Sequence, residues 1–116
     1  MNTIDHRAAK KYVALLDSSQ KRGIEFDLPL MSLLNLYKAK RCYYTGVSLT
    51  LEPNKPNSLT LDRVDNDKGY VSGNVVACSN AFNNMKGCMT VDDIVVLYSK
   101  VMKHVWIKSN ESFQNS

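Results

Sequence analysis

Apolar residues first recur at helical spacing, with Ile4, Ala8, Tyr12, Leu15 and Leu16 along one side of residues 3–20. This predicts an amphipathic helix with Thr3 at its N-cap and Gly23 as its interruption. IEFDL (24–28) is a short extended piece. Pro29 then suits the first turn of a second helix, where its missing N–H costs nothing, and Leu30, Leu33, Leu34 and Tyr37 give that helix a buried side. CYYTGVSLTL (42–51) is β-rich and broken at Thr45-Gly46, which predicts a tight hairpin. EPNKPNS (52–58) is a loop. SLTLDRV (58–64) alternates, with Leu59 and Leu61 on one face and Thr60 and Asp62 on the other, a half-buried strand. NDKGYVSGN (66–74) is turn chemistry, and NVVAC (74–78) is a short buried strand. From Ser79 the period becomes helical: Phe82 and Met85 share the apolar side, opposite Asn80, Asn83 and Asn84, and Gly87 is the stop. A last helix starts at Thr90, with Asp93 completing a capping-box variant. Its stripe of Val91, Ile94, Val95, Tyr98, Val101, Met102 and Val105 reads as core. SNESFQNS, from Ser109, reads as a frayed tail.

The 116 residues carry a net charge of +4, and the charge is uneven. Residues 1–41 hold eight Lys/Arg against four acids, while residues 42–116 hold seven of each. A basic segment of this kind can grip a phosphate backbone without reading sequence, although a solvated helix face has the same composition. The three cysteines, Cys42, Cys78 and Cys88, form no CxxC pair and no even disulfide framework, so a reduced compartment is the simpler reading. No apolar run approaches the length of a membrane span and MNTIDHRAAKK lacks a signal-peptide core, so a soluble, cytosolic chain is expected. No helix-turn-helix spacing is visible, which disfavours a transcriptional regulator.

The chemistry concentrates in DRVDNDKGY (62–70) and the segments that follow it. Asp62 ends one strand, Asn74 opens the next, and Asn83 lies on the following helix. A carboxylate and an amide oxygen brought together in this order suit a hard cation that keeps several waters and also takes phosphate oxygens. Each residue also has a plainer reading. Asp62 could cap a turn, Arg63 could pair with Asp65 or Asp67, and Lys86 could serve only as a charge at a helix C-terminus.

CYYTG followed by SLTLDRVDNDKGYVSGNVVACSNAFNNMKG resembles the HNH (ββα-metal) endonucleases, particularly the small ones of bacteriophages. The likeness covers residues 42–87 well and the flanking helices loosely. It implies an α+β fold, a ββα-metal core over 42–87 wrapped by two N-terminal helices within a basic part, 1–41, and a long C-terminal helix, 90–107. Together these make one domain over 1–108, with 109–116 as tail. The resemblance puts the metal-binding acid on Asp62 and the last metal ligand on Asn83, with Mg²⁺ or Mn²⁺ as cofactor. The loop-ordering asparagine falls on Asn74. Lys86, with Arg63, Lys40 and Arg41, is expected to hold DNA phosphates.

Two departures from the family matter. The four positions that hold a structural zinc in many members read Cys42, Thr45, Ser79 and Phe82, so no such zinc is expected; the long last helix would pack across the motif in its place. The histidine that serves as general base is replaced by Arg63, a cation at any working pH that cannot accept a proton from water. Asp65 and Asp67 are the nearest proton acceptors in sequence, whereas His6 and His104 are distant. The resemblance implies a phage-type DNA endonuclease acting in the host bacterium's cytoplasm. The alternative is a degenerate HNH-fold protein that binds DNA or inhibits a host defence protein. RNA in place of DNA, and the oligomeric state, stay open.

Overall fold

The computed structural model describes residues 3–107. Helix α1 (Thr3–Arg22) already includes Thr3, so its capping position lies outside the described residues, as does the tail 109–116. A two-residue strand, β1 (Phe26–Asp27), leads into α2 (Leu30–Tyr37), whose N-cap is Pro29. Residues 41–58 form no extended strands. They fold as turns tied by the bridges Arg41–Ser48 and Thr50–Ser58. The hairpin expected at Thr45-Gly46 is therefore a turn closed by Gly46 N–H donating to the Cys42 carbonyl at 2.9 Å, with Gly46 at φ 76°.

Strand β2 (Leu59–Arg63) pairs antiparallel with β4 (Val75–Ser79), with Leu61 opposite Ala77 and Asp62 opposite Val76. Between them, β3 (Tyr70–Val71) runs parallel to β1. That junction is close. Tyr70 N–H donates to the Glu25 carbonyl at 2.8 Å, and a Cβ on Gly69 would run into the Glu25 backbone. Glycine is required there by space. Leu15, Leu28, Leu33 and Val75 form the core, with Tyr12, Phe26, Leu36, Leu61 and Tyr70 packed around it. The apolar sides read from the two N-terminal periods thus meet one face of the β2–β4 sheet. The architecture is α+β.

Helix α3 (Asn80–Lys86) follows β4 without a loop, its first turn capped by the Ser79 hydroxyl, which accepts from Phe82 N–H at 3.2 Å. Its orientation departs from the apolar pattern. Met85 is 72% exposed, while Lys86 is buried. The helix faces the sheet with Asn83 and Lys86 because Lys86 finds a carboxylate there. Helix α4 (Val91–Val101) has the expected capping box, with Asp93 N–H donating to the Thr90 hydroxyl and Thr90 N–H to the Asp93 carboxylate, each at 3.0 Å. It continues as a π-helical stretch, Met102–Ile107, instead of a regular α-helix to 107. Its stripe is not core: no residue of either stretch is buried, and Val91, Val95, Tyr98, Val101 and Val105 are all exposed. The last helix therefore does not supply the apolar clamp expected across the motif. Among the described residues, no helix is long and apolar enough to cross a membrane.

Candidate functional site

Alternation along β2 decides which side chains can meet. Thr60 and Asp62 face α3, while Leu59, Leu61 and Arg63 face the other way. Asn83 on α3 donates its amide N–H to the Thr60 hydroxyl at 3.2 Å, and one helical turn on, Lys86 reaches Asp62. The Lys86 ammonium lies 3.1 Å from Asp62 Oδ2 and 3.4 Å from Oδ1, with both side chains buried. It also donates to the Arg63 carbonyl at 3.4 Å. A second partner for Asp62 comes from the 41–58 segment. Tyr44 donates its hydroxyl to Asp62 Oδ2 at 2.6 Å while its ring stacks on Phe82 at 4.7 Å between centroids. Burial, this hydrogen bond to a carboxylate and the carboxylate's charge push the Tyr44 phenol far up, so it serves as a donor.

Tyr44 follows Tyr43 in the β-rich segment 42–51. The two rings do meet edge to face at 5.1 Å, but Tyr43 lies exposed while Tyr44 belongs to the site. Eighteen residues separate Tyr44 from Asp62, and no local pattern marks the pairing.

Asn74 is buried and holds the loop between β2 and β3 with three side-chain bonds. It accepts from Asp65 N–H at 2.9 Å and donates to the carbonyls of Asp65 at 3.0 Å and Gly69 at 2.9 Å. Asp65 is drawn into the same turn, its carboxylate accepting from Asp67 N–H at 2.9 Å. Arg63 does not join Asp62. Its guanidinium donates to the carbonyls of Asn66 at 3.1 Å and Lys68 at 3.0 Å and lies 5.3 Å over the Tyr70 ring. The side chain placed where the family has its base clamps the loop on the opposite face of the strand. Arg41 donates to the Gly46 carbonyl at 3.0 Å and, like Lys40, is exposed.

The four positions compared with a zinc knuckle come together by other means. Burial alone would raise the Cys42 thiol, but hydrogen bonds from the Thr45 hydroxyl and from the backbone of Ser79, Thr45 and Tyr44 outweigh it and bring the thiol down to about 7. Phe82 fills its position with the ring stacked on Tyr44. Among the described residues, no three His, Cys, Asp or Glu side chains stand close enough to share a metal.

The donors suit one hard divalent cation in kind: a carboxylate at a strand end and an amide on the facing helix. The buried ammonium on Asp62 marks the same spot as one that takes positive charge. Lys86 and a metal would compete for that carboxylate.

A basic groove of ≈ 550 Å³ opens on the N-terminal side, lined by His6, Arg7, Lys10 and Lys11 of α1 with Tyr37, Pro53 and Leu59. Arg7 anchors it by donating to the Leu51 carbonyl. His104 lies exposed on the π-helical stretch at the other end of the chain.

This arrangement of strand, loop, strand and helix defines an HNH-like fold. The chain is similar to the rare-cutting HNH restriction endonuclease PacI, with a TM-score of 0.59 over 88% of this chain and 81% of that one, at 19% sequence identity. In sequence it is 30% identical over 80 residues, 67% of the chain, to a 29.0 kDa protein from the dda-modA intergenic region of Enterobacteria phage T4. It is 26% identical over 114 residues to protein R423 of Acanthamoeba polyphaga mimivirus. The chain spans 31% and 20% of the lengths of those two relatives. No protein-family model matches it.

Proposed function

We propose that the protein is a divalent-metal-dependent endonuclease of phage HNH type that hydrolyses phosphodiester bonds in DNA within the infected bacterium's cytoplasm. The observation that carries this reading is the buried Asp62 carboxylate, facing α3 beside Asn83 on a frame shared with an HNH restriction endonuclease. The sequence likeness to a phage protein supports the setting.

In this reading Asp62 and Asn83 hold Mg²⁺ or Mn²⁺, which when bound supplies stabilisation of the charge that develops on the attacked phosphodiester. The chain's own residues do the rest. Tyr44 fixes the carboxylate through its hydroxyl. Asn74 stiffens the loop behind Asp62, and Arg63 locks the same loop from the far face, so that Arg63 positions the site without touching phosphate. Lys86, once released from Asp62, is left as a cation beside the scissile phosphate. The groove of Arg7, Lys10 and Lys11 takes the nucleic-acid backbone, with exposed Lys40 and Arg41 as further phosphate contacts.

The test is cleavage of supercoiled and branched DNA in Mg²⁺ and in Mn²⁺ by the wild type and by Asp62→Ala. The wild type should nick or linearise at least one substrate, and Asp62→Ala should lose roughly a hundredfold or more of that rate. Folded wild type that leaves every substrate intact, or Asp62→Ala that cuts as well as wild type, would falsify the reading.

A further inference from the structure

Cys42 and Cys78 are far apart in sequence, yet the fold sets them side by side. Strand β4 has β2 along one edge and residues 42–43 along the other. On that second edge Tyr43 N–H donates to the Ala77 carbonyl at 2.9 Å, and Ser79 N–H donates to the Cys42 sulfur. The two bonds place Cys42 opposite Cys78, in the position of a non-hydrogen-bonded antiparallel pair, where Cα atoms stand roughly 4.5 Å apart and side chains come closest. A disulfide spans Cα separations of about 4.4–6.8 Å. Both thiols are free and buried, and the charge of Cys42 acts on Cys78. Their environments differ. Burial opposes ionisation of Cys42, but hydrogen bonds from the Thr45 hydroxyl and from the backbone of Ser79, Thr45 and Tyr44 hold it at about 7, so much of it is thiolate, the nucleophilic form. Burial pushes the Cys78 thiol up, against its hydrogen bond with Thr60 and together with the charges of Asp62 and Cys42. The cover over Cys42 is thin, since Arg41, Tyr43, Thr45 and Gly46 around it are all exposed.

We infer that Cys42 and Cys78 form a reversible disulfide in response to peroxide, a covalent clamp that ties the 41–58 segment to β4 beside the Asp62 carboxylate. The Cys42 thiolate attacks the peroxide and breaks its O–O bond, giving a sulfenic acid and a hydroxide that takes up a proton as water. The Cys78 sulfur then attacks the sulfenic sulfur. The S–S bond forms, the S–O bond breaks, and the hydroxyl leaves with the Cys78 proton as a second water. Two thiols lose two electrons and one peroxide is reduced to two waters. In a reducing compartment the pair stays as thiols, and the crosslink is transient. The clamp falls where no other one stands. The positions that could share a zinc read Cys42, Thr45, Ser79 and Phe82, and no residue of α4 is buried. Through Cys42 it fixes the turn that carries Tyr44, whose hydroxyl holds Asp62. This inference is independent of the catalytic reading.

The full chain carrying Cys88→Ser, which removes the exposed third thiol, is treated with a small molar excess of hydrogen peroxide and followed by intact mass and non-reducing peptide mapping. It should lose the mass of two hydrogens, with Cys42 joined to Cys78, and dithiothreitol should reverse the change. The crosslinked chain should melt about 10 °C higher than the reduced one, because the bond closes a long loop. With Cys78→Ser added, peroxide should leave a sulfenic acid on Cys42 that dimedone traps. The mass measurement alters neither cysteine of the pair, so it stands even where the double variant fails to fold. Thiols that both remain open to alkylation after peroxide overturn the proposal, as does oxygen gained at Cys42 while Cys78 stays reduced. So does a crosslinked chain that melts no higher than the reduced one, or a Cys42 left unmodified in a folded double variant.

Discussion

Lys86 places a buried ammonium against the buried Asp62 carboxylate, and that pair sets the behaviour of the site. Two charges taken out of solvent recover their desolvation only through each other, so removing one alone is costly. Lys86→Met is therefore expected to destabilise the metal-free protein by about 3–5 kcal/mol. Mn²⁺ at Asp62 would supply the missing charge, so it should raise the melting temperature of Lys86→Met more than that of the wild type. Thermal denaturation with and without Mn²⁺ measures both; a variant as stable as wild type and indifferent to Mn²⁺ would show that Lys86 does not stand in for a cation. Cys42 gives a second test, through pH. Its folded thiol titrates at about 7, below the unfolded value of about 8.5, so its contribution is present above the unfolded value and lost as pH falls through about 7. Stability should rise from about pH 7 to about pH 8.5 by roughly 1–2 kcal/mol, and Cys42→Ala should flatten that rise in urea titrations.

At the scale of the element, the periods of three to four and of two place α1, α2, β2 and β4 close to where they fold, because their apolar sides meet one another. The period of two in SLTLDRV also carries more than the family likeness does. It puts Arg63 with Leu61 on the face away from Asp62, which is where its guanidinium lies. Helix α3 shows the opposite case. Apolar pattern favours Met85 inward, but a buried carboxylate on the neighbouring strand outbids it and draws in Lys86. No window along the helix contains that carboxylate. Tyr44 is illegible for the same reason, and α4 for a different one: its apolar stripe announces a burial that the described residues do not provide. Helix α1 offers a direct check on packing. Ser19 is buried, and its hydroxyl has no hydrogen-bond partner among the described residues. Ser19→Ala removes an unsatisfied polar atom and favours the helix, so it should stabilise the protein by about 1 kcal/mol. A drop in the urea midpoint would mean that the hydroxyl is bonded in solution.

Across the whole molecule, the positive charge is displaced from the acidic loop. The net +4 of the chain resides in residues 1–41, and the fold gathers part of it into the groove of His6, Arg7, Lys10 and Lys11. Charge arranged this way acts on nucleic acid through counterion release, so it contributes affinity and salt dependence without sequence preference. Arg7 is already committed to the Leu51 carbonyl, so in the proposed reading Lys10 and Lys11 are the freer phosphate contacts. The double variant Lys10→Ala/Lys11→Ala should therefore weaken binding to all duplexes alike. It should also make the slope of log K against log salt shallower by about 2, at about 0.9 per neutralised phosphate. Fluorescence anisotropy over a salt series reads that slope directly. An unchanged slope would assign the backbone contact to Lys40, Arg41 and the surface around Asp62 instead of to α1. A lowered slope with cleavage chemistry intact in single-turnover assays would separate the grip on DNA from the site that acts on it.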